Sequence, residues 1–238
     1  MESGNHLELF RSHMPHDFLR EMLVTVYDCY VDAVDQCQTL YDEPEAVNMR
    51  PFHRRGLIEQ SLRKAAKQFS GVTASAERGV VGDDGQFGWW YHTLIRCGPI
   101  ALTQNTVGNP NELVRPSLFR QIYAASNPQL LLFSRVEAGP VSTEDVRPLP
   151  EGVRLYGMLL HGRSDRAPLP GFAVIRFPNR EYDGYLPGSI DLFREFPEIV
   201  AERTQTLADE VAKPAEEEQV EEPTPRLRLS QKVEGASA

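Results

Sequence analysis

The side chains best equipped for chemistry fall in two short runs. Trp89, Trp90, Tyr91 and His92 stand on consecutive positions, followed by Arg96. In an extended strand alternate residues share a face, so Trp90, His92 and Arg96 would offer a stacking surface beside a proton carrier and a cation. The plainer alternative is a core strand with a hydrogen-bonded histidine. The second run is His161, Arg163, Asp165 and Arg166, at the end of one apolar segment and in the loop before the next. Its arginines could hold a phosphate while Asp165 orients His161 as acid or base, since ligand groups commonly sit on loops carried by a sheet. A solvated loop with local ion pairs would look the same.

Two charged faces and one peptide-like segment complete the candidates. Arg54, Arg55, Arg63, Lys64 and Lys67 oppose a single Glu59 along one helical stretch, a face that could meet nucleic acid or an acidic partner. Asp28, Asp32 and Asp35 form an acidic face on the preceding helix and could neutralise it. Near the C-terminus Arg226, Leu227, Arg228 and Leu229 alternate charge and leucine, a pattern that could add as a strand to a partner's sheet edge.

Several chemistries lack their motif. No acid stands two residues before any of the four lysines, as a metal-dependent nuclease of the common type requires. There is no HExxH, no G-x-S-x-G and no G-x-x-x-x-G-K-[ST], and the glycines at 79, 82, 85 and 88 do not follow a strand and open a helix as a dinucleotide fingerprint must. The sequence implies no metal and no cofactor. The net charge of −9 divides between −4 from Leu207 onward and −5 on the body, which argues against non-specific affinity for nucleic acid or anionic lipid.

The elements that must position these groups are read from periodicity. Leu19, Leu23, Val26, Tyr30, Val34, Cys37 and Tyr41 recur at helical spacing over 17–41. A second helix is predicted over 54–69, with Ile58, Leu62, Ala65 and Phe69 inward, and a mobile glycine-rich connector over 79–88. Strands are expected over 89–96 and 100–107, joined at Gly98 and Pro99, then a helix opening at Pro116, and further strands over 130–136, 153–161 and 172–177. A weaker helical pattern follows from Ile190 to about Lys213.

With 41% hydrophobic residues the chain can bury a core without staples, and three cysteines without metal-ligand spacing read as reduced thiols. The expected fold is α+β: an antiparallel sheet of about five strands with N-terminal helices and one crossover helix packed on it. Residues 1–206 read as one domain, and 207–238 as a fraying helix end with a disordered acidic tail. With no leader and no apolar run near ~20 residues, the expectation is a cytoplasmic chain without membrane contact. The functional expectation is a binding or regulatory protein working through protein–protein contacts. One alternative is a hydrolase with a non-standard His/Arg/Asp site acting on a phosphate-bearing or nucleic-acid substrate. The other is a nucleic-acid-binding module that uses the basic second helix.

Overall fold

In a computed structural model of the chain, residues 5–81, 86–128, 151–164 and 168–212 are described, without the side chains of 5, 79–81, 86–89 and 210–212. Three helices lead: α1 (Asn5–His13), α2 (His16–Leu40) and α3 (Glu45–Ala66). The strands are β1 (Val72–Val81), β2 (Gln86–Cys97), β3 (Ile100–Thr106), β4 (Leu155–Arg163), β5 (Pro170–Arg176) and β6 (Ile190–Asp191). Helix α4 (Leu118–Ala124) lies between β3 and β4, and α5 (Leu192–Glu195) and α6 (Pro197–Ala212) follow β6.

The six strands form one sheet in sequence order. All neighbours are antiparallel except β3 and β4, which run parallel. A parallel pair needs a crossover rather than a hairpin, and the stretch that holds α4 supplies it. The sheet is therefore mixed, with six strands among the described residues where about five antiparallel ones were expected.

Strand alternation assigns the two faces. Ile95, Cys97, Ile100, Leu102, Leu155, Leu159 and Ile175 join Phe18, Met22, Val26, Ile58 and Leu62 in a core beneath the leading helices. Leu94, Ala101, Tyr156, Met158, Leu160 and Val174 face the other way and pack with Tyr123 and Ala124 of α4. The helices thus cover both faces of the sheet. Gly157 shows how closely the first core is fitted, because a Cβ there would lie 2.7 Å from Leu102 Cδ2 and 3.0 Å from Phe177. The crossover is pinned by buried Asn127, which donates to the carbonyls of Tyr156 and Pro178 and accepts from Tyr156 N at 2.6 Å.

Several boundaries differ from the sequence reading, each for a physical reason. Helix α1 was not foreseen, because nine residues are too few for a stable isolated helix. It is held by burial of Phe10, whose ring meets Phe177 edge-on at 5.3 Å, and of Met14 just beyond it. Helix α3 begins nine residues before the expected start and carries Pro51 within it. The carbonyl four residues earlier belongs to exposed Val47, so water can take the bond that proline cannot donate. The glycine-spaced stretch is largely strand: β1 runs to Val81 and β2 starts at Gln86. The segments 130–136 and 213–238 lie outside the described residues.

Candidate functional site

The ladder between β2 and β3 is short, and the candidate site occupies the place where it stops. Pairing runs from Cys97–Ile100 to Leu94–Thr103 and ends there. Yet β2 continues back against β1 to Gln86, and β3 continues forward against β4 to Thr106. The two strands diverge, and Glu59 of α3 fills the inner end of the gap. Its carboxylate accepts the Thr93 backbone N–H through one oxygen and the Gln104 amide at 2.8 Å through the other. A side-chain carboxylate here replaces the β3 partner that Thr93, paired with Ala76 on its β1 side, lacks, and satisfies a buried donor that would otherwise be costly.

From Glu59 a directional chain of hydrogen bonds enters the first core. Because Gln104 Nε2 donates to the carboxylate, Gln104 Oε1 must accept from His161 Nε2, at 2.7 Å. His161 Nδ1 is then the lone-pair nitrogen and accepts from the Tyr30 hydroxyl at 3.1 Å. Above the Tyr30 ring, the Arg54 guanidinium sits 4.1 Å from its centroid. His161 is wholly buried, and burial first, then the Arg54 charge, pull its pKa down to about 3. Both ring nitrogens are engaged and the ring has no exposed surface, so this imidazole holds structure together and is not presented to a substrate.

On the outer side of the same gap lies an open cleft. Its walls are Trp90 and His92 from β2, Thr103 and Asn105 from β3, Phe119 and Arg120 from α4, with Arg55 of α3 at the mouth. It spans about 390 Å³ counted out to solvent. Arg120 is held in place by three bonds, to the Arg115 carbonyl, Ser117 Oγ and Asn105 Oδ1. The His92 ring lies on Phe119 with centroids 3.8 Å apart. His92 is 9% exposed, and its Nε2 has no hydrogen-bond partner among the described residues. Burial, then Arg120, lowers its pKa to about 4; Glu77 pulls the other way and Arg55 adds to the depression. A neutral imidazole, one anchored cation at Arg120 and a second, exposed cation at Arg55 thus share one cleft.

The expected site residues are therefore separated. Trp90 and His92 do share a cleft, but with Arg55 and Arg120; Arg96 instead donates to Tyr123 OH at 3.1 Å. His92 lies on the α4 face and His161 on the α2 face, so the two histidines cannot form one site. Arg163 is exposed at the end of β4, and Asp165 and Arg166 lie outside the described residues, as do Arg226, Leu227, Arg228 and Leu229. The basic face of α3 also divides: Arg54 lies over Tyr30 and Arg63 donates to Thr93 Oγ1, while Arg55, Lys64 and Lys67 are exposed. Asp28 pairs with Arg203 of α6 at 3.0 Å and not with α3.

Glu59, Gln104, Asn105 and Arg120 escaped the sequence reading. The adjacent amides Gln104 and Asn105, at the end of an otherwise apolar strand, were the available signal. Among the described residues no group of His, Cys, Asp or Glu side chains could hold a metal ion, and no helix is long and apolar enough to cross a membrane. Taken together, fold and cleft define an α+β protein with a mixed sheet and a cationic opening between two splayed strands. No family model, no curated protein and no solved structure matches the chain.

Proposed function

We propose that this is a cytoplasmic binding or regulatory protein that acts through contacts with other proteins. One observation carries the reading: the α2–α3 junction exposes Leu40, Tyr41, Val47, Met49 and Phe52 within thirteen residues, Phe52 by 72%. Scattered exposed apolar residues are ordinary, whereas a concentration of this kind on a chain with a well-filled core is typical of an interaction surface. A hydrolase would have to work with His92 or His161 alone, since each imidazole has its own face of the sheet. A nucleic-acid module on α3 would rest on Arg55, Lys64 and Lys67 alone, because Arg54 and Arg63 are engaged within the protein.

The test places a photo-crosslinking phenylalanine analogue at position 52 of the full chain in its native cells, with a control analogue at exposed Arg180. A discrete adduct at position 52, absent from the control and lost when Met49 and Val47 are changed to serine, supports the reading. Adducts equal at both positions, or a monodisperse monomer that captures nothing, would overturn it.

A further inference from the structure

We propose that the cleft between β2 and β3 binds an oxyanion group, phosphate or carboxylate, carried on a flat apolar body that rests on Trp90. The proposal is independent of the protein-contact reading, which concerns the α2–α3 junction.

Three independent features converge on it. The first is charge: Arg55 and Arg120 flank the opening, and the bonds from Arg120 to Arg115, Ser117 and Asn105 hold its guanidinium there at no further ordering cost. Among the described residues the one acid that acts on His92 is Glu77, directly across the β1–β2 ladder. The second is an unused donor–acceptor site: His92 is about nine-tenths buried in the cleft wall, and its Nε2 has no partner among the described residues. Buried polar nitrogens in native proteins are nearly always satisfied, so an orphan on a ring that lines a cationic opening marks the place of a missing group. The third is shape. The inner cleft has room for about two water-sized groups, the scale of a single oxyanion head and too little for a whole cofactor. The body of such a ligand would lie outside, where Trp90 leaves 46% of its surface exposed.

The chemistry is that of charge-assisted hydrogen bonding. An oxyanion between Arg55 and Arg120 would accept from both guanidinium groups. Its negative charge would favour the imidazolium form of His92, so binding raises the His92 pKa from its depressed value and turns Nε2 into a third donor. No bond is made or broken.

Histidine-labelled full-length protein provides the readout, since the ring carbons of His92 report both proximity and protonation. Inorganic phosphate, phenyl phosphate and benzoate are each titrated to about 10 mM at constant ionic strength, well beyond a ~1 mM Kd. The expected result is a saturable shift at His92, an upward move of its titration, and no saturable shift at His13, which lies on another surface. Phenyl phosphate or benzoate should bind several-fold more tightly than inorganic phosphate, and the tighter of the two identifies the head group. Trp90→Ala should abolish that advantage, and Arg55→Glu, an exposed position, should weaken all probes at least ten-fold. A His92 signal unmoved by all three probes, or moved equally in Arg55→Glu, would overturn the proposal. Failure here leaves the crosslinking result at position 52 untouched, so the two readings fall separately.

Discussion

Two of the buried histidines, His92 and His161, sit on opposite faces of one sheet, a few residues from the same gap, and differ in almost every respect that governs reactivity. His161 has both nitrogens bonded, to Tyr30 and Gln104, and no route to solvent. His92 has an aromatic neighbour, two cations nearby and an unsatisfied Nε2 in a cleft wall. Both are held neutral at pH 7, but for different ends. In His161 desolvation is offset by a complete network, which rigidifies the packing of α2 and α3 on the sheet. In His92 it is not offset, so the side chain carries a cost that a ligand could relieve. Burial alone therefore says little about role; what each ring nitrogen meets decides it.

The largest way to test the contrast is acid. Both histidines have folded-state pKa values below the ordinary 6.5, so the unfolded chain takes up protons first and stability falls as the pH drops below about 6.5. Each such site costs about 1.4 kcal/mol per pH unit until its folded value is reached, near 4 for His92 and near 3 for His161. Because His92 keeps some exposure and His161 keeps none, His161 dominates, and their joint contribution to the loss from pH 7 to pH 4 should be roughly 4 kcal/mol, with His6 adding in the same direction. Urea unfolding at pH 7, 5.5 and 4 measures it. His161→Gln should remove about one proton from the linkage slope and His92→Gln less; equal slopes would erase the distinction.

Next in size is the wedge. Glu59→Ala leaves the Thr93 N–H and the Gln104 amide without an acceptor, which should cost about 2–3 kcal/mol in urea unfolding at pH 7. Glu59→Gln keeps one acceptor oxygen and should lose about half as much. A smaller effect is expected from Tyr30→Phe, which removes one donor to His161 Nδ1 and should cost about 1 kcal/mol. If Tyr30→Phe proved neutral, the network would not be the organised chain that its distances describe.

Much of this fold was legible because the chain spells it in periodicity. The stripe from Leu19 to Cys37 marks α2 within a residue at each end, and Gly98, at φ 54°, turns β2 into β3 as its neighbours suggested. Strand β1 was hidden because Thr73, Ser75 and Glu77 alternate with small residues at a sheet edge, where little apolar surface is needed. The parallel β3–β4 pair was hidden because its direction depends on the crossover and not on either strand's own pattern. The cleft was half visible. Trp90 and His92 stood out by type and spacing, but Arg55 and Arg120 reach them from two helices on opposite faces of the sheet, an encounter that only the divergence of β2 from β3 creates. Glu59 looked like the lone acid on a basic face; its role as a strand surrogate depends on a ladder ending at Leu94.

The smallest expected effect has the most informative sign. His92→Phe removes a ring whose Nε2 makes no hydrogen bond and replaces it with one that can stack on Phe119 without any desolvation cost. At pH 7 the variant should be as stable as the parent or more stable by about 0.5 kcal/mol, and it should also lose the acid sensitivity that His92 contributes. His161→Phe, by contrast, strands the Gln104 carbonyl and the Tyr30 hydroxyl in the core and should destabilise by about 2 kcal/mol. A position where the native residue is less stabilising than its apolar replacement is one that folding alone does not explain. If His92→Phe proved as damaging as His161→Phe, then His92 would be a structural histidine like its counterpart, and the cleft would lose the feature that most sets it apart from ordinary surface.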